Sequence, residues 1–253
     1  MVFNILYINI QTYKAIVCYS FGLLIKEDSN LMKNNNIKTK AINPMIYEKT
    51  RDGEFLYDVY SRLVKDRIIF LAEELDEELA TTITATLLFL DHQNKTKDIS
   101  IYINSPGGDV GGFYTIYDTM HYIKSPIKTV CIGQASSAAA FILAAGTPGK
   151  RFAFENSELM IHEIQVGNMS GTGTEIEKES LRVKKLNEKV IKTLSLHCNQ
   201  PYDKVKADCK EDKFMTAQEG LEYGLIDGIV KSTKSLPKPK IIQAPKQGKA
   251  KTK

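Results

Sequence analysis

Between Met45 and Val230, short apolar runs alternate with longer amphipathic or small-residue stretches. A chain patterned in this way must fold in layers, because each strand and each helix has an apolar face that only another element can cover. Residues 67–71 read as a buried strand and 75–90 as a helix. Residues 97–104 form a second strand, which ends in Ser105-Pro106-Gly107-Gly108. A helix over 112–123, a strand over 127–132 and a small-residue helix over 137–145 follow. Short strands at 151–154 and 159–164 lead to a long helix over 175–198. Pro201 opens a further helix, residues 216–223 form another, and 225–230 form a closing strand. The expected class is therefore α/β, with no internal repeat.

The two ends differ from this middle. Net charge is +4, yet residues 231–253 hold eight lysines and no acid, which leaves the rest of the chain at −4. With Pro237, Pro239 and Pro245 among those lysines, the tail is too polar to bury a core and is expected to be disordered. It has no aromatic residue to stack on a base, so it is read as solvated, with neither nucleic acid nor membrane as partner. At the other end, 15–25 is an apolar run of eleven residues, against the roughly 20 that span a bilayer. It lacks the basic flank and small-residue cleavage site of a signal peptide. Residues 1–44 are read as an N-terminal extension, with Met32 as the expected true start, because Lys26-Glu27-Asp28 can be encoded by a purine run resembling a ribosome-binding sequence. Residues 45–230 are read as one domain of ordinary size. Cys18, Cys131, Cys198 and Cys209 have no paired spacing, which argues against a disulfide framework or a metal site and for a reducing compartment.

Two glycine-bearing loops invite a nucleotide reading, and neither supports it. The segment 166–174 lacks the strand-GxGxxG-helix order, and Gly146 to Arg151 lacks the spacing and the hydroxyl residue after Lys150. The chain is not expected to hydrolyse ATP. A serine hydroxyl, by contrast, becomes a nucleophile when a nearby base takes its proton and a third group fixes the tautomer of that base. Of the four histidines, His92 and His121 lie in surface settings and His197 ends the long helix, whereas His162 closes the apolar run Leu159-Met160-Ile161. A strand-end histidine often serves structure alone. In Gly133-Gln134-Ala135-Ser136-Ser137-Ala138-Ala139-Ala140, a strand turns into a helix of small side chains, which exposes a hydroxyl and aims helical N–H groups at whatever it attacks. Such a turn also serves close helix packing. Ser105-Pro106-Gly107-Gly108 ends the preceding strand, and its bare glycines let backbone N–H groups approach a substrate. The residues alone leave these readings open.

The ordered set Tyr57-Asp58-Val59-Tyr60-Ser61-Arg62-Leu63, Tyr102-Ile103-Asn104-Ser105-Pro106-Gly107-Gly108 and Glu222-Tyr223-Gly224-Leu225-Ile226-Asp227 resembles the proteolytic subunit of the Clp protease family. The resemblance implies a crotonase-like αβ spiral with a protruding strand-turn-helix handle. It also implies that Ser137 is the nucleophile, His162 the base and Asp212 the orienting acid, with the backbone of Gly108 and Ala138 as oxyanion donors. It implies a serine endopeptidase of stacked heptameric rings with no metal and no cofactor on this chain. A separate AAA+ Clp ATPase would spend ATP to feed it unfolded proteins, in a bacterial-type cytoplasm or an organelle such as a plastid. Two rivals share parts of this picture: a crotonase-type acyl-CoA enzyme and a non-catalytic ring subunit.

Departures from the family pattern are specific. Ala138-Ala139 stands where the family has Met-Gly, and Glu163-Ile164 where it has Gln-Pro; the glycine-rich segment after them is one residue longer. Before the acid, Lys210-Glu211-Asp212 exchanges the signs of the family's acid-arginine-aspartate. In the family that arginine pairs across the rings, so Lys210 of one ring is expected to meet Glu211 of the other.

Overall fold

The structure is a computed structural model that describes residues 44–231 apart from Asp52 and the side chain of Thr50. The expectations for Cys18, the 15–25 run, Met32 and the lysine-rich tail lie outside the described residues. Its elements are β1 (Met45–Thr50), β2 (Gly53–Asp58), α1 (Val59–Lys65), β3 (Ile68–Leu71), α2 (Glu77–Gln93), β4 (Ile99–Ser105), α3 (Val110–Tyr122), β5 (Ile127–Ser136), α4 (Ala138–Ala144), β6 (Arg151–Phe154), β7 (Glu158–Ile161), α5 (Gly173–His197), α6 (Tyr202–Asp208), β8 (Lys213–Thr216), α7 (Ala217–Tyr223) and β9 (Gly228–Val230). No described helix is long and apolar enough to cross a membrane.

β1 and β2 form an antiparallel hairpin. The remaining seven strands form one sheet in the order β3-β4-β5-β6-β9, with β7 joined to β5 and β8 joined to β7. All pairs in it are parallel except β7 with β8. β5 is longer than its apolar run predicts, because it serves two neighbours in succession. Its first half pairs with β6 at Thr129–Cys131, and its second half pairs with β7 at Gln134–Ser136. The sheet therefore splits along one strand, and the end of that strand is Ser136, one residue before the expected nucleophile.

Burial follows from composition. All seven residues of α4 are buried, so only small and apolar side chains fit there. α2 packs against α3 and α3 against α4, while α4 lies on β5. Elsewhere the strand ends differ from the sequence reading for local reasons. Arg67 is not the first residue of β3 but a turn residue at φ 62°, and its guanidinium donates to the carbonyls of Leu90, Asn94, Lys97 and Asp98. Leu75 is not helical: its N–H donates to Gly107 O and its carbonyl accepts from Asp109 N–H, each at 2.7 Å, while Asp76 caps α2 through Leu79 N–H.

The handle also differs in detail. After β7, residues 162–171 form no strand, because no strand among the described residues pairs with them; α5 then starts from a capping box between Thr172 and Glu175. Only its C-terminal part is buried, at Val190, Ile191, Leu194 and Ser195.

Candidate active site

Three strand ends converge. Ser137 follows β5, His162 follows β7, and Asp212 precedes β8. The register explains the meeting of the last two. β7 and β8 pair antiparallel with Ile161 opposite Lys213, so the next residue on each strand brings His162 opposite Asp212. Ser136 pairs with Met160 in the parallel ladder, and Ser137 N–H donates to Met160 O at 2.9 Å, which brings the serine beside the same strand end.

The side chains complete a relay. His162 Nδ1 lies 3.0 Å from Asp212 Oδ1, and His162 Nε2 lies 2.8 Å from Ser137 Oγ. A carboxylate only accepts, so Nδ1–H donates to Asp212 and the Nε2 lone pair is left to accept the Ser137 hydroxyl hydrogen. The imidazole is mostly covered, at 12% exposed, and the carboxylate is at the surface, at 47%.

Ser137 holds φ 53° and ψ −127°, a conformation that costs a non-glycine residue of order 1–3 kcal/mol. No Gly-x-Ser-x-Gly motif signals this strained turn, and the room for it comes from the loop after β4. A Cβ at Gly107 would come within 2.6 Å of Ser136 O and 2.7 Å of Ser137 Cβ. The missing side chain at Gly107, in the loop after β4, is thus what lets the Ser136-Ser137-Ala138 backbone pass. Gly108 is fixed by the bridge to Leu75, whose hydrogen bonds engage Gly107 and Asp109 and leave the Gly108 N–H without a partner among the described residues. Ala138 is the first residue of α4, where an N–H has no intrahelical partner. Gly108, Ser137, Ala138 and His162 line one pocket of about 230 Å³, with Phe113, Phe141 and Val190 among its apolar walls. The structure therefore brings together all five residues singled out for chemistry. It leaves Lys210 and Glu211 exposed on the turn between α6 and β8, outside that pocket.

The competing groups are disposed differently. Cys131, Cys198 and Cys209 are unbridged, and burial pushes their thiols up to about 11, about 12 and about 12. They stay protonated at neutral pH and are poor nucleophiles. His197, with His121, gathers around Tyr117, whose hydroxyl lies 3.0 Å from His197 Nε2. Burial, then the nearby His121 and Arg151, push His197 down to about 4. Sequence reasoning treated these two histidines separately. The spacing of Tyr117 and His121, one helical turn apart, was the available signal for half of that cluster.

A residue that sequence reasoning passed over supports the site from behind. Arg151, the first residue of β6, donates through Nη1 to Ala144 O at 3.2 Å, His197 O at 2.9 Å and Gly224 O at 3.0 Å. Those carbonyls belong to the C-terminal ends of α4, α5 and α7, where a cation is favoured. Nε and Nη2 pair with Asp227 at 2.9 and 2.6 Å. One buried guanidinium thus ties α4, the helix that follows Ser137, to two others.

The Clp protease family model matches residues 51–233, a span that contains every strand of the sheet and all the residues of the relay and pocket. With well over half of its length matched in this way, the chain belongs to the Clp protease family.

Proposed function

We propose that the chain is a serine-type endopeptidase, the proteolytic subunit of an ATP-dependent Clp protease, with 45–230 as its peptidase domain. The observation that carries this reading is the relay from Ser137 through His162 to Asp212, at 2.8 and 3.0 Å, beside two unused backbone N–H groups. Ser137 Oγ attacks the carbonyl carbon of a peptide bond while His162 Nε2 takes its proton. The carbonyl oxygen becomes an oxyanion and accepts hydrogen bonds from the N–H groups of Gly108 and Ala138. Collapse expels the amine, which takes the proton back from His162. Water, deprotonated by the same nitrogen, then hydrolyses the acyl ester and frees Ser137. Asp212 keeps Nδ1 protonated and offsets the imidazolium charge. No step needs a metal or cofactor on this chain.

The family works in assemblies with Clp ATPases, and the finer reading for this chain is a stacked double ring fed with unfolded proteins by an AAA+ partner that spends the ATP. The handle favours it: Val166, Met169, Ile176 and Leu181 are exposed apolar residues along one protruding segment, with Leu181 at 54%, and a ring interface would cover them. Lys210 and Glu211 are proposed to pair reciprocally across that interface.

The test is covalent. A fluorophosphonate should label Ser137, and Ser137→Ala should abolish both labelling and peptide hydrolysis, since losing such a nucleophile costs on the order of 10⁶ in turnover. Ser136→Ala should retain both. Labelling at Ser136, or an unlabelled protein that instead turns over a CoA thioester, would overturn the assignment.

A further inference from the structure

The pocket beside Ser137 has two chemically different parts. Its inner walls include Phe113, Phe141 and Val190, all nearly fully buried. Its lining also includes Glu163, an exposed residue that directly follows His162. The Glu163 carboxylate is held in place. Asn187 Nδ2 donates to Glu163 Oε2 at 3.2 Å, and the Oδ1 of the same amide accepts the Ile164 N–H at 3.0 Å. The Glu163 N–H donates to Cys209 O at 2.7 Å. Asn187 stands on α5 one turn before Val190, so the carboxylate is tied to the α5 side of the pocket.

Asn187 orients this charge without cancelling it, because an amide is neutral. Among the described residues no lysine or arginine forms an ion pair with Glu163. Lys189, on the same helix, lies over the ring of Tyr114, 3.9 Å from its centroid, and Lys213 pairs with Asp208 at 3.1 Å. Among the described residues no lysine or arginine lines the pocket, and Asp212 adds a second carboxylate behind His162. The cleft is thus apolar within and uncompensated in negative charge at Glu163.

We infer that Glu163 sets the charge preference of this cleft: it favours peptides that carry a basic side chain next to the apolar residue seated in the pocket, and disfavours those with an acidic one there. The inference rests on the peptidase reading and adds to it a substrate class. An exposed pair contributes a few-fold in each direction, so basic and acidic peptides should differ by about tenfold. The difference should shrink in high salt, where an exposed charge is screened.

Three internally quenched peptides, identical except for Lys, Gln or Glu beside a single apolar residue, test this with the full chain. kcat/KM should rank Lys above Gln above Glu at low salt, Glu163→Gln should bring the Lys-to-Glu ratio near one, and Glu163→Lys should invert it. The ratio is the readout, so a general loss of activity does not imitate the effect. Binding of the same peptides to Ser137→Ala, followed by anisotropy, separates the two claims. Ranked binding without hydrolysis by the parent chain overturns the peptidase reading and keeps this one. Hydrolysis without ranking, or a ranking that survives Glu163→Lys, overturns this one and keeps the other. Neither binding nor hydrolysis overturns both.

Discussion

Gly107-Gly108 and the segment from Gly167 to Gly173 both follow a strand and both read as glycine-rich turns, yet their glycines meet opposite surroundings. At Gly107 a Cβ would strike the backbone and side chain of the Ser136-Ser137 turn, and at Gly108 it would strike the backbone of Leu75. At Gly167 and Gly173 nothing lies within 4 Å of where a Cβ would stand. Glycine in the first pair is where the chain must approach itself to form the Ser136-Ser137 turn. In the second segment the described residues bring only the Glu175 side chain near, at Gly171, and leave Gly167 and Gly173 open. The relay is complete within one chain, whereas the handle is an open surface.

The sharpest way to break this comparison is to add one methyl group to each. Gly108 has φ +145°, a conformation that alanine adopts only under strain, and its Cβ would have no room. Gly108→Ala should therefore cost about 3 kcal/mol or more of stability and remove activity, combining backbone strain with overpacking. Gly167→Ala should change stability by less than about 0.5 kcal/mol. Urea unfolding of the two variants decides; equal losses would mean that the contrast between the two turns has no energetic content.

A second prediction sharpens the rigid side. The Asp227 carboxyl lies low because burial, which pushes it up, is outweighed by the hydrogen bonds and charge of Arg151. A carboxyl held below its unfolded value contributes stability that is fully present above that value, about 3.9, and is lost as pH falls through the folded one. Asp227→Asn should cost about 3 kcal/mol at pH 7, because it leaves the guanidinium without its counter-charge among three helix ends. It should also flatten the acid limb of the stability profile. Unfolding measured from pH 7 to pH 3 tests both; an acid limb as steep as that of the parent would assign the loss to other carboxylates.

What the sequence made legible follows the same division. His162 stands at the end of an apolar run and could be singled out from the residues, and the turn from Gly133 to Ala140 could be marked as exposing a hydroxyl, but the choice of Ser137 within it came through family resemblance. Asp212 likewise came only through family resemblance. The strand that follows it, Lys213–Thr216, is four residues long with an exposed Phe214, and it owes its existence to pairing with β7 rather than to any local pattern. The extension of β5 through Gly133 and Gln134 was hidden for the same reason: pairing with Glu158 and Leu159 overrides a glycine that locally reads as a break. Arg151 gave no signal of its role either, since a charged residue at the start of a strand reads as a surface end. Its importance depends on three helix ends that meet only in the folded chain.

The smallest effect, and the one that bears most directly on the open side, concerns Lys210 and Glu211. Both are exposed on the turn that leads into Asp212 and β8, and neither forms an ion pair among the described residues. A contact across a two-fold axis is isologous, so a pair from residue 210 to residue 211 recurs in reverse, and each interface would carry both. An exposed pair contributes only about 0 to 1 kcal/mol, but in the proposed double ring the contact would repeat around the rings, one and two residues from Asp212. Lys210→Glu alone should oppose two acids, loosen the double ring and lower peptide turnover at low salt. Glu211→Arg alone should oppose two cations and do the same. Combining Lys210→Glu with Glu211→Arg exchanges both signs, restores both attractions and should recover assembly, and high salt should reduce the differences among all three. Sedimentation and turnover of the three variants decide it: damage that adds in the combined variant, instead of cancelling, would show two solvated side chains with no partner across the rings.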